Sequence, residues 1–296
     1  MRILIFGSTG QVGRELGRVA WPASVTVQPL CRSQCDLSVP ARAAEMILQI
    51  RPDIVINAAA YTAVDRAESE PTLAAALNRD VPSAMADACR NAGARLVHLS
   101  TDYVFDGRKA EPYVENDPVA PLSVYGRTKA EGEAAIRNRL PEHVILRTSW
   151  VFAAHGSNFV RTMLRLARER AELRIVADQQ GSPTAARDIA QAIAAMVCRF
   201  ADGCSFWGTF HFASSEPTSW FSFAEAIFIF RGARPKLVPI TTEEYKAPAR
   251  RPLYSVLDCA RVGETYGIVQ PSWRAALADV ISELGETAAI EGTLAE

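Results

Sequence analysis

Over the first 150 residues, short unbroken apolar runs alternate with longer stretches in which apolar positions return at helical spacing. The runs at 2–6, 25–27, 53–57, 95–100 and 144–148 are continuous rather than alternating, the pattern of strands covered on both faces. The segments 12–20, 40–50, 71–92 and 124–139 read as the helices between them. Pro40 stands at the first turn of its segment with Ser38 just before it, a sound helix start. Strand and helix in this alternation predict βαβ units, and right-handed crossovers turn these into a doubly wound parallel sheet of the Rossmann type.

The pattern loosens after residue 150. Segments 159–169, 185–198 and 222–230 read as helices and 208–213 as a strand, while prolines and glycines mark loops at 180–184, 231–239 and 248–252. The chain therefore divides into 1–150, a dinucleotide-binding domain to which later segments can return, and 151–296, a smaller mixed α/β region that binds substrate. The tail 285–296 is expected to fray. The aromatics of 220–223 and 228–230 could form a ligand platform, but the core side of a helix is the simpler reading.

The 296 residues carry a net charge of −1, with 49% hydrophobic and 22% charged positions. This is an ordinary globular balance, with no electrostatic case for nucleic acid or an anionic membrane. The apolar start meets Gly7 too soon for a secretory signal, and no run approaches the ~20 apolar residues of a membrane span. A cytoplasmic protein is expected. The six cysteines (31, 35, 89, 198, 204 and 259) form no C-x-x-C pair, and His98, His143, His155 and His211 show no ligand spacing. Reduced thiols and no metal site follow.

Two features carry chemistry. Gly7, Gly10 and Gly13 lie between the first strand and the first helix, where they permit a tight turn, backbone approach to a pyrophosphate and close helix packing. The spacing is G-x-x-G-x-x-G, one position away from the dehydrogenase fingerprint, and no lysine stands in the Walker position. After the second strand comes Arg32, with no acid before Asp36, which tilts the choice towards NADPH. An exposed loop arginine is the other reading, so NADH use stays open. The small residues Ala58, Ala59 and Ala60 allow backbone to come near a ribose or adenine.

Tyr125 and Lys129 are the second feature, four apart and thus on one helix face. An ammonium there can lower a phenol's pKa from about 10 and make it a proton exchanger for a carbonyl or alcohol.

In order along the chain stand S-T-D-Y-V-F-D-G (100–107), Y-G-R-T-K-A-E-G-E (125–133), R-T-S-W-V-F (147–152), Asn158-Phe159, G-S-P-T (181–184) and R-R-P with S-V-L-D, ending at Asp258. Together they resemble the extended short-chain dehydrogenase/reductase superfamily and, within it, the dTDP-4-dehydrorhamnose reductase family. The resemblance implies reduction of the C4 keto group of dTDP-4-dehydro-L-rhamnose by NAD(P)H. It makes Tyr125 the general acid, Lys129 the residue that binds the nicotinamide ribose and lowers the tyrosine pKa, and Thr101 the hydroxyl on the carbonyl. Strand alternation turns Ser100 and Thr101 to opposite faces, so only one can serve. Cofactor contacts are implied at Thr9, Gln11, Val12, Asp36, Leu37, Tyr61 and Ser100, besides the glycines, Arg32 and the three alanines. Substrate contacts are implied at Val64, Asp102, Tyr103, Trp150, Asn158 and Arg251. Asp65 and Asn78 are read as fixing loops and helix ends.

Some members of this family hold magnesium at a dimer interface with three glutamates. Glu15 and Glu283 match, but Arg187 occupies the middle position. The metal is therefore not carried over, and a homodimer by that route is left open. Two other readings compete: a different sugar-nucleotide epimerase or 4-ketoreductase, and a non-catalytic regulatory subunit of the same fold.

Overall fold

In a computed structural model, which describes residues 1–201, 203, 206–231 and 235–293, the five early runs form parallel strands. These are β1 (Arg2–Phe6), β2 (Thr26–Leu30), β3 (Ile54–Asn57), β4 (Arg95–Thr101) and β5 (His143–Thr148). Gly208–His211 adds a sixth, and the order across the sheet is Gly208–His211, β5, β4, β3, β1, β2, parallel throughout. The chain steps from β1 to β2 on one side and to β3 on the other. This is a topological switch point, whose crevice at the carboxyl ends of the strands is where such folds take ligands.

The unbroken apolar runs have a direct cause. Ile3, Ile5, Ile54, Ile56, Val97, Val144 and Leu146 face a core that includes Leu16 of helix α1 (Gln11–Arg18) and Ile193 of helix Ala186–Ala201. Their neighbours Leu4, Phe6, Val55, Leu96 and Ile145 face a second core with Ile47 of α2 (Pro40–Ile50), Met85 of Val81–Ala92 and Ile136 of Val124–Arg139. Both faces of the sheet are buried, as parallel sheets require.

Several segments depart from the sequence reading. β2 runs past 27 to Leu30 through Pro29, which an edge strand tolerates because one side of it has no ladder to feed. The loop expected at 231–239 contains the strand Lys236–Ile240, paired in parallel with Glu172–Val176; Pro239 disguised it, and residues 232–234 lie outside the described residues. The tail expected to fray instead continues the helix Trp273–Thr293, with 294–296 outside the described residues. Those two strands and the helices Phe159–Glu169, Trp220–Arg231 and Trp273–Thr293 share a separate core around Phe152, Phe223, Trp273 and Leu277. Phe223 and Phe228 lie in that core, whereas Phe230 is exposed.

The single helix expected over 71–92 is broken into Pro71–Ala75, a π-helical turn Ala76–Asp80, and Val81–Ala92. Pro82 has no N–H to give the Asn78 carbonyl. That carbonyl instead approaches Gly132 of the helix Val124–Arg139, where a Cβ would stand 2.1 Å from it. The Asn78 side chain receives the Tyr61 N–H at 2.8 Å and donates to the Tyr61 carbonyl and to Thr128 Oγ1. One asparagine thus ties the loop after β3 to the Tyr125 helix.

Gly132→Ala is predicted to destabilise the protein by about 1–3 kcal/mol through overpacking against this carbonyl. Urea unfolding checks it; an unchanged midpoint would refute the close approach.

Candidate active site

At the switch point Gly7 has φ +82°, and a Cβ there would lie 2.7 Å from Ala59 N. A Cβ on Gly13 would be 2.0 Å from the Gly7 carbonyl oxygen. The turn between β1 and α1 can only be made this tight with glycine at both places. Gly10 is exposed and is the N-cap of α1, with no side chain bonding the first turn. That turn's N–H groups, which a helix leaves without internal partners, are available to an anion. Thr9 is exposed, Val12 is buried under the sheet, and Ala58, Ala59 and Ala60 are half-buried beside the turn. Tyr61 is buried, its hydroxyl donating to Glu70 Oε2 at 2.6 Å. Beyond β2, Arg32, Ser33, Asp36 and Arg42 line an open cleft, with half-buried Leu37 just after Asp36 in the chain. Arg32 is well exposed and 3.9 Å from Asp36.

The helix Val124–Arg139 begins at Ser123, whose hydroxyl accepts the Gly126 N–H. This cap fixes the first turn, and so the placement of Tyr125. The Tyr125 ring is half-buried, edge-on to Tyr103 with centroids 5.9 Å apart. Lys129, one turn on, is buried; its Nζ donates to the Leu99 carbonyl at 2.5 Å and lies 3.3 Å from His98 Nε2. Burial pushes the Tyr125 phenol up to about 12, against the opposing effect of the Thr101 hydroxyl. Burial also pulls Lys129 down to about 8, with the Glu133 carboxylate opposing. The expected lowering of the tyrosine by the lysine is therefore not what this structure shows. The ammonium is turned to the β4 backbone, and desolvation decides the phenol.

The strand alternation separates Ser100 from Thr101. Ser100 Oγ donates to Glu133 Oε1 at 2.6 Å, behind the helix. Thr101 Oγ1 donates to Asp102 Oδ1 and accepts the Tyr103 N–H. Burial raises the Asp102 carboxyl to about 7, with the Ser255 and Thr101 hydroxyls opposing.

Glu133 is fully buried and bonded on every side. Arg147 of β5 grips it with a fork at 2.9 and 2.7 Å, and Arg137 adds 3.1 Å. Burial opposes its charge, but Arg147, Ser100 and Arg137 hold its pKa below the usual range. Arg147 also donates to His211 Nε2 and the Glu115 carbonyl, and it stands over the Phe105 ring. The sequence reading missed Glu133 and Arg147. Two charges falling on residues of otherwise buried elements were the only signal.

The implied substrate residues divide. Val64 is half-buried in the helical turn Val64–Ala67, whose Ala67 shares a small apolar cluster with Val124 and, at its edge, Tyr125. Trp150 has φ +46°, a strained conformation for a bulky residue, and stacks on Trp220 at 3.5 Å between ring centroids. Trp220 is thus a further aromatic of this region. Asn158 does not reach for a ligand: it caps Phe159–Glu169, accepting the Arg161 N–H, and its amide donates to Gln11 Oε1 and to the Ala153 and His155 carbonyls. That exhausts its two donors, and it also engages Gln11. Arg251 spends its fork on Asp65, at 3.0 and 2.9 Å, so a phosphate contact there would have to displace a carboxylate. Asp65 also accepts the Ala249 N–H, and so fixes the 249–251 loop.

The chain is similar to known proteins over most of its length. The family model described as the RmlD substrate binding domain matches residues 1–286. A dTDP-4-dehydrorhamnose reductase of Burkholderia thailandensis is 45% identical over 96% of this chain and 99% of its own. This chain belongs to the dTDP-4-dehydrorhamnose reductase family. Among solved structures, a dTDP-4-dehydrorhamnose reductase of Clostridium acetobutylicum superposes with a TM-score of 0.90 at 39% identity, over 96% of this chain and all of that one. A dTDP-4-dehydrorhamnose reductase of Bacillus anthracis, in complex with NADP, gives 0.87 at 36% identity over 95% and 99%.

Basic side chains surround Glu15. Arg18 lies 3.1 Å from Glu15 and 2.9 Å from Glu283, and His155 Nδ1 is 3.4 Å from Glu15. Arg187 pairs with Asp279 at 3.0 Å and is 3.6 Å from Asp188. Among the described residues, no group of three His, Cys, Asp or Glu is placed to hold a metal ion. Cys31, Cys35, Cys89, Cys198 and Cys259 are free thiols, and Cys204 lies outside the described residues. Among the described residues no helix is long and apolar enough to cross a membrane.

Glu133→Ala strands the Arg147 guanidinium in the interior and is predicted to cost about 3–5 kcal/mol. The paired change Glu133→Leu with Arg147→Met is predicted to cost far less. A denaturant comparison in which the double variant is the weaker would contradict this picture of the pair.

Proposed function

We propose that this chain reduces the C4 keto group of dTDP-4-dehydro-L-rhamnose to give dTDP-L-rhamnose, with NADPH preferred over NADH. One observation carries the catalytic assignment: Tyr125 is a half-buried phenol held in its protonated form, beside Thr101 and one helical turn from Lys129. Membership of the family supports the substrate. The NADP bound to the Bacillus anthracis relative supports the cofactor, as do the exposed Arg32 and the neighbouring Arg42, whose guanidinium groups suit a 2′-phosphate. Gly7, Gly10, Gly13 and the start of α1 suit the pyrophosphate, and Ala58–Ala60 the adenosine side.

The bound dinucleotide supplies a hydride to C4. As the C=O electron pair moves to O4, Tyr125 gives that oxygen its proton. An alkoxide is far more basic than a phenolate, so a raised phenol pKa keeps the donor loaded without hindering the transfer. Thr101 turns its hydroxyl proton from Asp102 to the carbonyl oxygen and polarises it. Lys129, in its charged form, donates to the nicotinamide ribose. Asp102, Tyr103, Val64 and Trp150 shape the sugar site. Asn158 and Arg251 act by fixing loops rather than by direct contact.

Magnesium does not fit. Glu15 and Glu283 are both engaged by Arg18, and Arg187 brings a second guanidinium to the same cavity. No step runs through a metal.

NADPH oxidation with dTDP-4-dehydro-L-rhamnose tests the reading. Turnover is expected in the wild type, with a loss of at least about 10² in kcat for Tyr125→Phe; equal activity of the two would sink the role of Tyr125. Because the lysine titrates near 8 and the phenol near 12, kcat/KM is predicted to fall as pH rises through about 8. A profile flat to pH 10 would remove Lys129 from the account. Dialysis against EDTA is expected to leave the rate unchanged.

A further inference from the structure

We propose that Asn57 and His98 are positioning residues which fix the proton on the imidazole and thereby set the protonation of Lys129. The inference deepens the proposed function and rests on its assignment of Lys129.

The direction of the hydrogen bonds can be followed from one fixed end. The Ala59 backbone N–H donates to Asn57 Oδ1 at 3.1 Å, so that atom is an acceptor and the other terminal atom is the NH₂. The NH₂ lies 3.0 Å from His98 Nδ1. An amide NH₂ can only donate, so Nδ1 is the bare nitrogen. Burial, with the ring fully enclosed, holds the imidazole neutral. Its one proton is therefore on Nε2, which lies 3.3 Å from Lys129 Nζ.

That N–H points at a group that is all donor when charged. The three side chains are 0%, 0% and 2% exposed, so water cannot mediate between them. An ammonium here would set donor against donor. A neutral amine instead accepts from His98 Nε2–H while still donating to the Leu99 carbonyl. The chain Ala59 → Asn57 → His98 → Lys129 thus favours the amine, and Lys129 can give up and regain a proton near neutral pH.

Other groups act on the same lysine from each side. Glu133, one turn along its own helix, favours the ammonium, but Arg147 of β5 and Arg137 compensate much of its charge. His143, at the start of β5, acts on His98, and Asp102, which follows β4, acts on Tyr125. From the π-helical turn comes the uncharged amide of Asn78, through Thr128. Against this background Asn57 is the one partner whose replacement can reverse the imidazole without touching the helix.

The test uses the full chain labelled with ¹⁵N-histidine, which has only four histidines to assign. Long-range ¹H–¹⁵N spectra between pH 6 and 9 are expected to show His98 with protonated Nε2 and bare Nδ1; a protonated Nδ1 in the wild type overturns the proposal, whatever the variants do. Asn57→Asp supplies an acceptor to Nδ1 and is expected to switch the tautomer. Asn57→Ala removes the donor without adding charge and is expected to do the same. In protein labelled at the four lysine Cε positions, the Lys129 midpoint is then expected to rise by at least about one pH unit in both variants. A rise in Asn57→Asp alone assigns the effect to charge and overturns the tautomer mechanism. These readouts need no sugar nucleotide, so a failure of the reductase assignment would be seen separately.

Discussion

The geometry of the site depends on a buried ion pair. Glu133 and Arg147 join the helix that carries Tyr125 and Lys129 to β5, and Ser100 joins both to β4 immediately before Thr101. Three elements that each supply or flank a candidate catalytic group are thereby held by one carboxylate. Burying two charges is costly in itself, and a well-packed apolar pair could be as stable. What the pair provides is direction: the fork fixes the register of helix on strand to within a hydrogen bond, and its negative end also opposes the loss of charge on Lys129.

Around this pair the chain uses single polar residues to lock loops that the sheet alone would leave free. Asn78 holds the backbone after β3 to the catalytic helix, Asp65 and Arg251 hold the 249–251 loop, and Asn158 holds α1 to the helix Phe159–Glu169 through Gln11. Arg18 adds a bridge from Glu15 to Glu283, joining α1 to the helix Trp273–Thr293. The crevice is therefore bounded by elements from both halves of the chain, held by charge-assisted bonds.

Much of the fold was legible because it follows from local rules. Parallel strands buried on both faces have to read as unbroken apolar runs, and Gly7 and Gly13 are forced by sterics that any residue with a Cβ would violate. The opposite facing of Ser100 and Thr101 follows from the period of a strand. Illegible were the features set by contact between distant residues. Asn57 and His98 are 41 positions apart, and Glu133 and Arg147 sit on different elements. Pro82 was compatible with a helix interior restarting or with a break, and only the approach of Gly132 decided it. Asn158 and Arg251 have the right chemistry for a sugar diphosphate, but nothing local reveals that their hydrogen bonds are already spent. The tyrosine's pKa was misjudged for the same reason: helical spacing gives the neighbour, whereas burial and the direction of the lysine come from the tertiary fold.

The account stands on hydride and proton meeting at one carbonyl beside Tyr125. The direct test is turnover with NADPH deuterated at the transferring position of the nicotinamide, followed by NMR of the sugar nucleotide product. Deuterium on C4 of the 6-deoxyhexose, one per product formed, is the predicted result. Deuterium at another carbon, or product formed without consumption of the cofactor, would contradict it.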